Sequence, residues 1–275
     1  MNFLYILFLF TYTDFKTIFF PVLAVAAVLG PVKSNKSVVE AALWIWVHLL
    51  QCNVSNQRNS IDEDALNRPW RPLPSGKVSI QQAIILRYIV IWACVACSSL
   101  YGVQIVLISL FLTAITIIYD DYGGATHWIL KNLCAAIGYA IFEVGATVVI
   151  GPSLSLSNTA IQGICYSAIV VLTTIHAQDF SDTAGDATQG RVTLAIYAPY
   201  KSRFALAFFL LFWSLALSLQ WHLSNILTVP YVGYALFVGW RYMWYQGASA
   251  DGKSYVFYNI WLGMTHLLPL WRFRT

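Results

Sequence analysis

The sequence predicts an all-α protein that crosses a membrane many times as one bundle of about nine helices. Three observations carry this expectation. Of 275 residues, 59% are hydrophobic and only 10% are charged, against roughly 25% charged in soluble domains. Mean hydropathy is +0.64, and too little polar material remains to coat a soluble domain of this length. The apolar residues fall into runs of about 20, the length that crosses a bilayer as a helix. Helix is the expected form because lipid cannot satisfy open backbone groups. Five cysteines without framework spacing exclude a disulfide-rich secreted scaffold. The excess of apolar residues excludes disorder.

The runs follow in order near residues 16–31, 37–52, 80–99, 102–118, 132–151, 159–178, 202–221, 226–245 and 255–271. A short apolar stretch at 2–11 precedes the first. It reads as an amphipathic lead-in, an extension of the first span or a poor signal-like segment. It lacks a basic n-region and a clear cleavage site, so a removed signal peptide is not expected. No linker splits the chain, and one domain over 1–275 is expected.

Nine spans place the connections alternately on two sides. Lys16, Arg58, Arg68, Arg71, Lys77, Arg87, Lys131, Arg191, Lys201, Arg203, Arg241 and Lys253 fall on or near one side. Lys33, Lys36, Arg272 and Arg274 fall on the other. Twelve against four orients the first side to the cytosol. The acids Asp62, Glu63, Asp64, Asp120, Asp121, Asp179, Asp182, Asp186 and Asp251 cluster there too, and the opposite loops carry none. Such one-sidedness argues against a transporter and for a site at a single membrane face.

Two segments concentrate the polar chemistry. In the longest loop, Asn56, Ser60 and Asp64 are spaced i, i+4, i+8 and would share one face of a helix. Pro69, Pro72 and Pro74 then force an ordered non-helical stretch carrying Arg68, Arg71 and Lys77. At the end of the sixth span, Asp179, Asp182 and Asp186 stand on adjoining turns, followed by Arg191 and Lys201. Three crowded carboxylates repel unless a cation or proton compensates them. Mg²⁺ takes carboxylate and amide oxygens and keeps positions open for substrate phosphates. The Arg and Lys side chains suit phosphate oxygens. An acidic loop is ordinarily a solvated face, but two such segments on one side, each trailed by basic residues, argue otherwise. Neither loop has the EF-hand pattern, and no P-loop, GxGxxG or HExxH occurs. Cys94 and Cys97 lie inside a span and read as packing.

These segments resemble the UbiA superfamily of intramembrane prenyltransferases. Its first motif is N-x-x-x-D-x-x-x-D followed by N-[KR]-P-x-R-P-L-P-[SA]-G. Here Asn56, Ser60 and Asp64 precede N-R-P-W-R-P-L-P-S-G from Asn67 to Gly76. The second motif, D-x-x-D-x-x-x-D with Gly before the last Asp, matches Asp179, Asp182, Gly185 and Asp186. One departure stands out: Ser60 occupies the middle carboxylate position, with acids at Asp62, Glu63 and Asp64 instead. That variant, and G-G-x-x-H-W-x-L-K-N from Gly123 to Asn132, resemble a fungal branch that includes membrane-bound class I terpene cyclases.

The resemblance implies a UbiA-type bundle whose central cavity opens to the cytosolic face. It implies Mg²⁺ held by Asn56, Asp64, Asp179, Asp182 and Asp186 with Asp62 in support, and a catalytic role for Asp64, Asp182 and Asp186. Arg68, Arg71, Lys131 and Arg191 would meet the diphosphate of a prenyl diphosphate substrate; Arg71 could instead brace the Pro-rich loop. Departure of diphosphate leaves an allylic carbocation, which aromatic faces stabilise in a dry pocket. Aromatic residues make up 16% of the chain. Most belong to packing and interface belts, while Tyr88, Trp92, Tyr139, Phe142 and Tyr166 are candidates to line the cavity. Glu143, mid-span and costly in a membrane, either anchors an internal hydrogen bond or lines the cavity. His176 reads as structural rather than catalytic, and Glu40 as structural. The expected function is a class I terpene cyclase acting on farnesyl or geranylgeranyl diphosphate. The alternative is a prenyltransferase with an aromatic or lipid acceptor. The lipid bilayer is the expected environment, endoplasmic reticulum if the source is eukaryotic. No nucleic-acid partner and no obligate protein partner is expected.

Overall fold

The structure, a computed structural model, describes residues 3–273; Arg274 lies outside the described residues. Among the described residues the chain forms eleven helices, besides short 3₁₀ turns: α1 (Phe3–Leu29), α2 (Asn35–Asn59), α3 (Ile61–Asn67), α4 (Ile80–Ser99), α5 (Val103–Asp120), α6 (Trp128–Ile150), α7 (Asn158–Thr188), α8 (Leu194–Tyr197), α9 (Pro199–Gln220), α10 (Asn225–Trp244) and α11 (Ala248–Leu267). Their starts follow from sequence. Ser34 and Ser79 each accept from the backbone three residues on, in reciprocal capping boxes with Ser37 and Gln82. Ser157 caps α7 by accepting from Ala160 N at 3.1 Å.

The nine long helices form a closed ring. α2 packs on α4, α4 on α5, α5 on α6, α6 on α7, and α7 on α9. The ring continues through α10 and α11 and closes through α1 back to α2. α6 reaches across to α1 and α2, and its polar Lys131, Asn132 and Glu143 are buried with the apolar core. The chain is a multi-pass membrane protein.

Two expectations change, and the open reading of the N-terminal stretch is decided in favour of an extension of the first span. Nine long helices stand where nine runs were read, but seven are both long and apolar enough to cross a membrane. α10 and α11 fall short because Pro230 and Arg241 interrupt one, and Asp251, Lys253 and Asn259 the other. The stretch at 3–11 is helical and continues into the first span. That helix is broken midway by a 3₁₀ turn at Tyr12–Asp14 and a π turn at Phe15–Phe19, a kind of irregularity that frees backbone groups. Finally, Asn56, Ser60 and Asp64 do not share one continuous helix. α2 ends at Asn59, Ser60 leaves helical geometry (φ −121°, ψ 28°), and α3 restarts at Ile61.

Candidate functional site

The break at Ser60 turns α3 under the end of α7. Gly185 permits this approach: a Cβ there would stand 2.2 Å from Asn67 Nδ2 and 2.8 Å from Glu63 Cγ. The two acidic segments therefore meet, and basic side chains knit them together. Arg71 Nη1 donates to both Asp64 oxygens at 2.7 and 3.0 Å. Arg68 bridges the segments, with Nη2 donating to Asp182 at 2.9 Å and Nη1 3.8 Å from Asp64. Arg191 donates to Glu63 at 2.5 Å, to Asp186 at 3.3 Å and to the Ser60 hydroxyl at 3.0 Å. Lys131 donates to Asp179 at 2.8 Å and to Asp186 at 3.5 Å.

The loops that deliver Lys131 and Arg191 are themselves joined. Val192 N donates to Thr126 O at 2.9 Å, and His127 and Val192 form a parallel bridge. The tight turn beneath needs Gly123, at φ +75°, and Gly124, where a Cβ would lie 2.9 Å from Ile118 O. Burial pushes the carboxyls of Glu63 and Asp64 up, against the pull of Arg191 and Arg71 beside them.

Next to the ion-pair cage, reached through Gln178 beside Asp179, lies a cavity of about 230 Å³. Its polar end carries Asp14, Asn53, Asn56, Asp120, Gln178 and Tyr255. Leu112, Ile115, Tyr119, Gly138, Tyr139, Phe142 and Ile175 also line it. Pro21, four residues on from Thr17, has no N–H to donate to Thr17 O, which accepts from the Tyr139 hydroxyl instead. Phe142 packs edge-on against the buried Trp44, 6.3 Å between ring centroids.

The structure brings together Asp64, Asp179, Asp182, Asp186, Arg68, Arg71, Lys131 and Arg191. Asn56 stands at the polar end of the cavity, where its Nδ2 donates to Asp120 Oδ1 at 3.1 Å. Asp62 is not part of the cage: the restart at Ile61 turns it to solvent and turns Glu63 inward. Lys201 is exposed on α9. Tyr88 and Trp92, 62% and 71% exposed, lie on the outer surface of α4 and do not line the cavity. Tyr166 packs edge-on against Trp221, away from the cavity. Glu143 is an internal anchor that accepts from Ser167 at 2.6 Å, with His266 Nε2 3.7 Å away. His176 meets Ser202 O at 3.1 Å, a structural bond. Sequence reasoning missed Glu63, Asp14, Asn53, Tyr119, Asp120, Gln178 and Tyr255 as site residues. The Asp120–Asp121 pair ahead of Gly123–Gly124 was the available signal; Asp14 and Tyr255 had none, because a helix break and a ring closure bring them in.

Among the described residues no group of three or more His, Cys, Asp or Glu side chains is arrayed to hold a metal ion as it stands, because each cage acid is turned onto an Arg or Lys; the chemistry of the donors, though not their present arrangement, suits a hard divalent cation. Carboxylates and the Asn56 amide are oxygen donors, and thiols and imidazoles stay out of the cage. Five acids share four cations, so the cage holds more carboxylates than cations to pair them.

A ring of membrane helices with an ion-pair cage next to an aromatic-lined cavity defines a class of intramembrane enzymes that hold an anionic head and an apolar tail. The chain belongs to the UbiA prenyltransferase family, whose profile matches residues 18–262. It is 32% identical to the fumagillin beta-trans-bergamotene synthase of Aspergillus fumigatus, over 98% of this chain and 93% of that one. It is 30% identical to a polyprenyl transferase of Hericium erinaceus, over 78% and 74%. Among solved structures, a UbiA homologue from Archaeoglobus fulgidus bound to GPP and Mg²⁺ superposes with a TM-score of 0.65 at 14% identity, covering 95% of this chain and 99% of that one.

Proposed function

We propose that this protein is a class I terpene cyclase that ionises a farnesyl or geranylgeranyl diphosphate and closes the tail into a ring. The observation that carries the reading is the cage of acids and cations from both motifs, next to a cavity lined by Tyr119, Tyr139, Phe142 and Tyr255 and joined to it through Gln178, which precedes Asp179, and Asn56, one turn before Ser60. Asn56, Asp64, Asp179, Asp182 and Asp186 would hold Mg²⁺, which when bound neutralises the diphosphate and makes it a better leaving group. Arg68, Arg71, Lys131 and Arg191 are held on carboxylates in the free protein and would pass to the phosphate oxygens when metal takes those carboxylates. The C–O bond breaks, its electron pair leaves with diphosphate, and aromatic faces stabilise the allylic cation. A distal double bond of the same tail then supplies the electrons for ring closure, and loss of a proton restores neutrality. The apolar walls keep water from the cation.

The 32% identity to a bergamotene synthase supports intramolecular closure. The 30% identity to a polyprenyl transferase favours a second reading, in which the cation passes to an aromatic or lipid acceptor. On either reading the excess of Lys and Arg at the site's end faces that end to the cytosol. The test is to incubate the purified protein with Mg²⁺ and each diphosphate, without acceptor. A cyclic hydrocarbon is expected. Product that forms only when an aromatic acceptor is added would give the function to the transferase reading.

A further inference from the structure

The first motif departs from its family pattern at Ser60, where a carboxylate is missing, and the structure shows what Ser60 does instead. Its hydroxyl donates to Asn56 O at 3.0 Å and accepts from Arg191 Nη2 at 3.0 Å. It is turned to backbone and guanidinium. Asn56, four residues earlier, has a different carboxylate at its side chain. Asp120, the last residue of α5, accepts from Asn56 Nδ2 at 3.1 Å, and both residues line the polar end of the cavity.

Asp120 is held there by its neighbours. Asn59 Nδ2 donates to its backbone carbonyl at 2.8 Å. The adjacent Asp121 is clamped outward by Arg58 and Arg87. The two consecutive acids thus divide the work: Asp121 latches α5 to α2 and α4, and Asp120 is left at the cavity. Asp120 also differs from the cage acids in charge balance. Asp64, Asp179, Asp182, Asp186 and Glu63 each meet an Arg or Lys. Among the described residues Asp120 is in no ion pair; the Asn56 amide donates to it, with the Ser55 side chain also beside it. The bond to Asn56 uses one Asp120 oxygen and one amide hydrogen, leaving Asn56 Oδ1 and Asp120 Oδ2 as acceptors.

We infer that Asp120 supplies the carboxylate the first motif lacks at Ser60, completing with Asn56 a divalent-cation site at the polar end of the cavity. This rests on the metal reading of the proposed function. A carboxylate arriving from α5 rather than α2 keeps the ligand charge while freeing Ser60 to hold Arg191 toward Glu63 and Asp186.

The test reads metal binding without turnover. Mn²⁺ affinity of the purified, substrate-free protein is measured by titration for wild type, D120N, D186N, S60D and the D120N/S60D pair, with the metal-free Tm recorded for each. D120N is expected to bind Mn²⁺ about tenfold more weakly or worse, with S60D restoring the affinity of the pair to near wild type. Wild-type affinity in D120N alongside loss in D186N overturns the inference and leaves the proposed function intact. Wild-type affinity in both overturns the metal reading itself. A D120N loss that S60D does not restore makes Asp120 a brace for Asn56 and also overturns the inference. If D120N lowers the metal-free Tm, the S60D single variant decides: affinity above wild type supports a second carboxylate joining Asp120 at one ion, and unchanged affinity overturns it.

Discussion

Three of the four cage cations, Arg68, Lys131 and Arg191, are each shared by two acids, while Arg71 holds Asp64 alone. Lys131 lies between Asp179 and Asp186, and Arg191 between Glu63 and Asp186. Removing Asp186 therefore strands no cation, because Lys131 keeps Asp179 and Arg191 keeps Glu63. Asp186→Ala should leave the Tm within a few degrees of wild type while product formation falls by about 10²-fold or more, the scale of losing one charge-stabilising group. Activity per milligram beside a thermal melt checks both halves. Arg71→Ala differs. Asp64 is fully buried, and its nearest bond is to Arg71 at 2.7 Å. Stranding one partner of such a pair costs about 3–5 kcal/mol, softened here by Arg68 at 3.8 Å. Arg71→Ala should therefore lower the Tm as well as kcat. A rise in KM alone would mean uniform substrate binding rather than help to the leaving group.

At the scale of elements, the site depends on how closely α3 lies under α7. Gly185→Ala would press a methyl onto Asn67 and Glu63 and move the two motifs apart. Misplacing reacting groups by about 1 Å costs up to about 10²-fold, so kcat/KM should fall far more than the Tm does. A variant with unchanged kcat/KM would show that the two segments act independently. The same junction explains what the sequence could and could not reveal. The two acidic segments, their trailing Arg and Lys and the helical bundle were legible, because apolar runs and charge spacing are local patterns. The break at Ser60 was not. It swaps Asp62 for Glu63 at the site, and nothing in the i, i+4, i+8 spacing announces it. Tyr88 and Trp92 were misjudged for a related reason: an aromatic residue in a lipid-facing helix looks the same in sequence on either face, and the packing of α4 against α2 and α5 decides. That distinction is measurable. Phe142→Ala should shift the product pattern toward linear or water-quenched compounds, whereas Trp92→Ala should leave it unchanged by gas chromatography with mass detection.

Across the whole molecule, a ring of nine long helices among the described residues surrounds the aromatic-lined cavity, and the ion-pair cage concentrates charge at one end of it, where the proposed reaction would neutralise a leaving diphosphate. α10 and α11, less apolar than the rest, complete that ring; α11 contributes Tyr255 to the polar end of the cavity and presents Asp251 to Arg203 at 2.7 Å. The central claim is that ionisation and ring closure occur within one chain on one substrate. Quantifying diphosphate release and hydrocarbon formation together, in a single acceptor-free reaction with Mg²⁺, tests it most directly. Equal molar amounts of the two, both abolished by EDTA, are predicted. Diphosphate release without hydrocarbon, or release that requires an added acceptor, would contradict it.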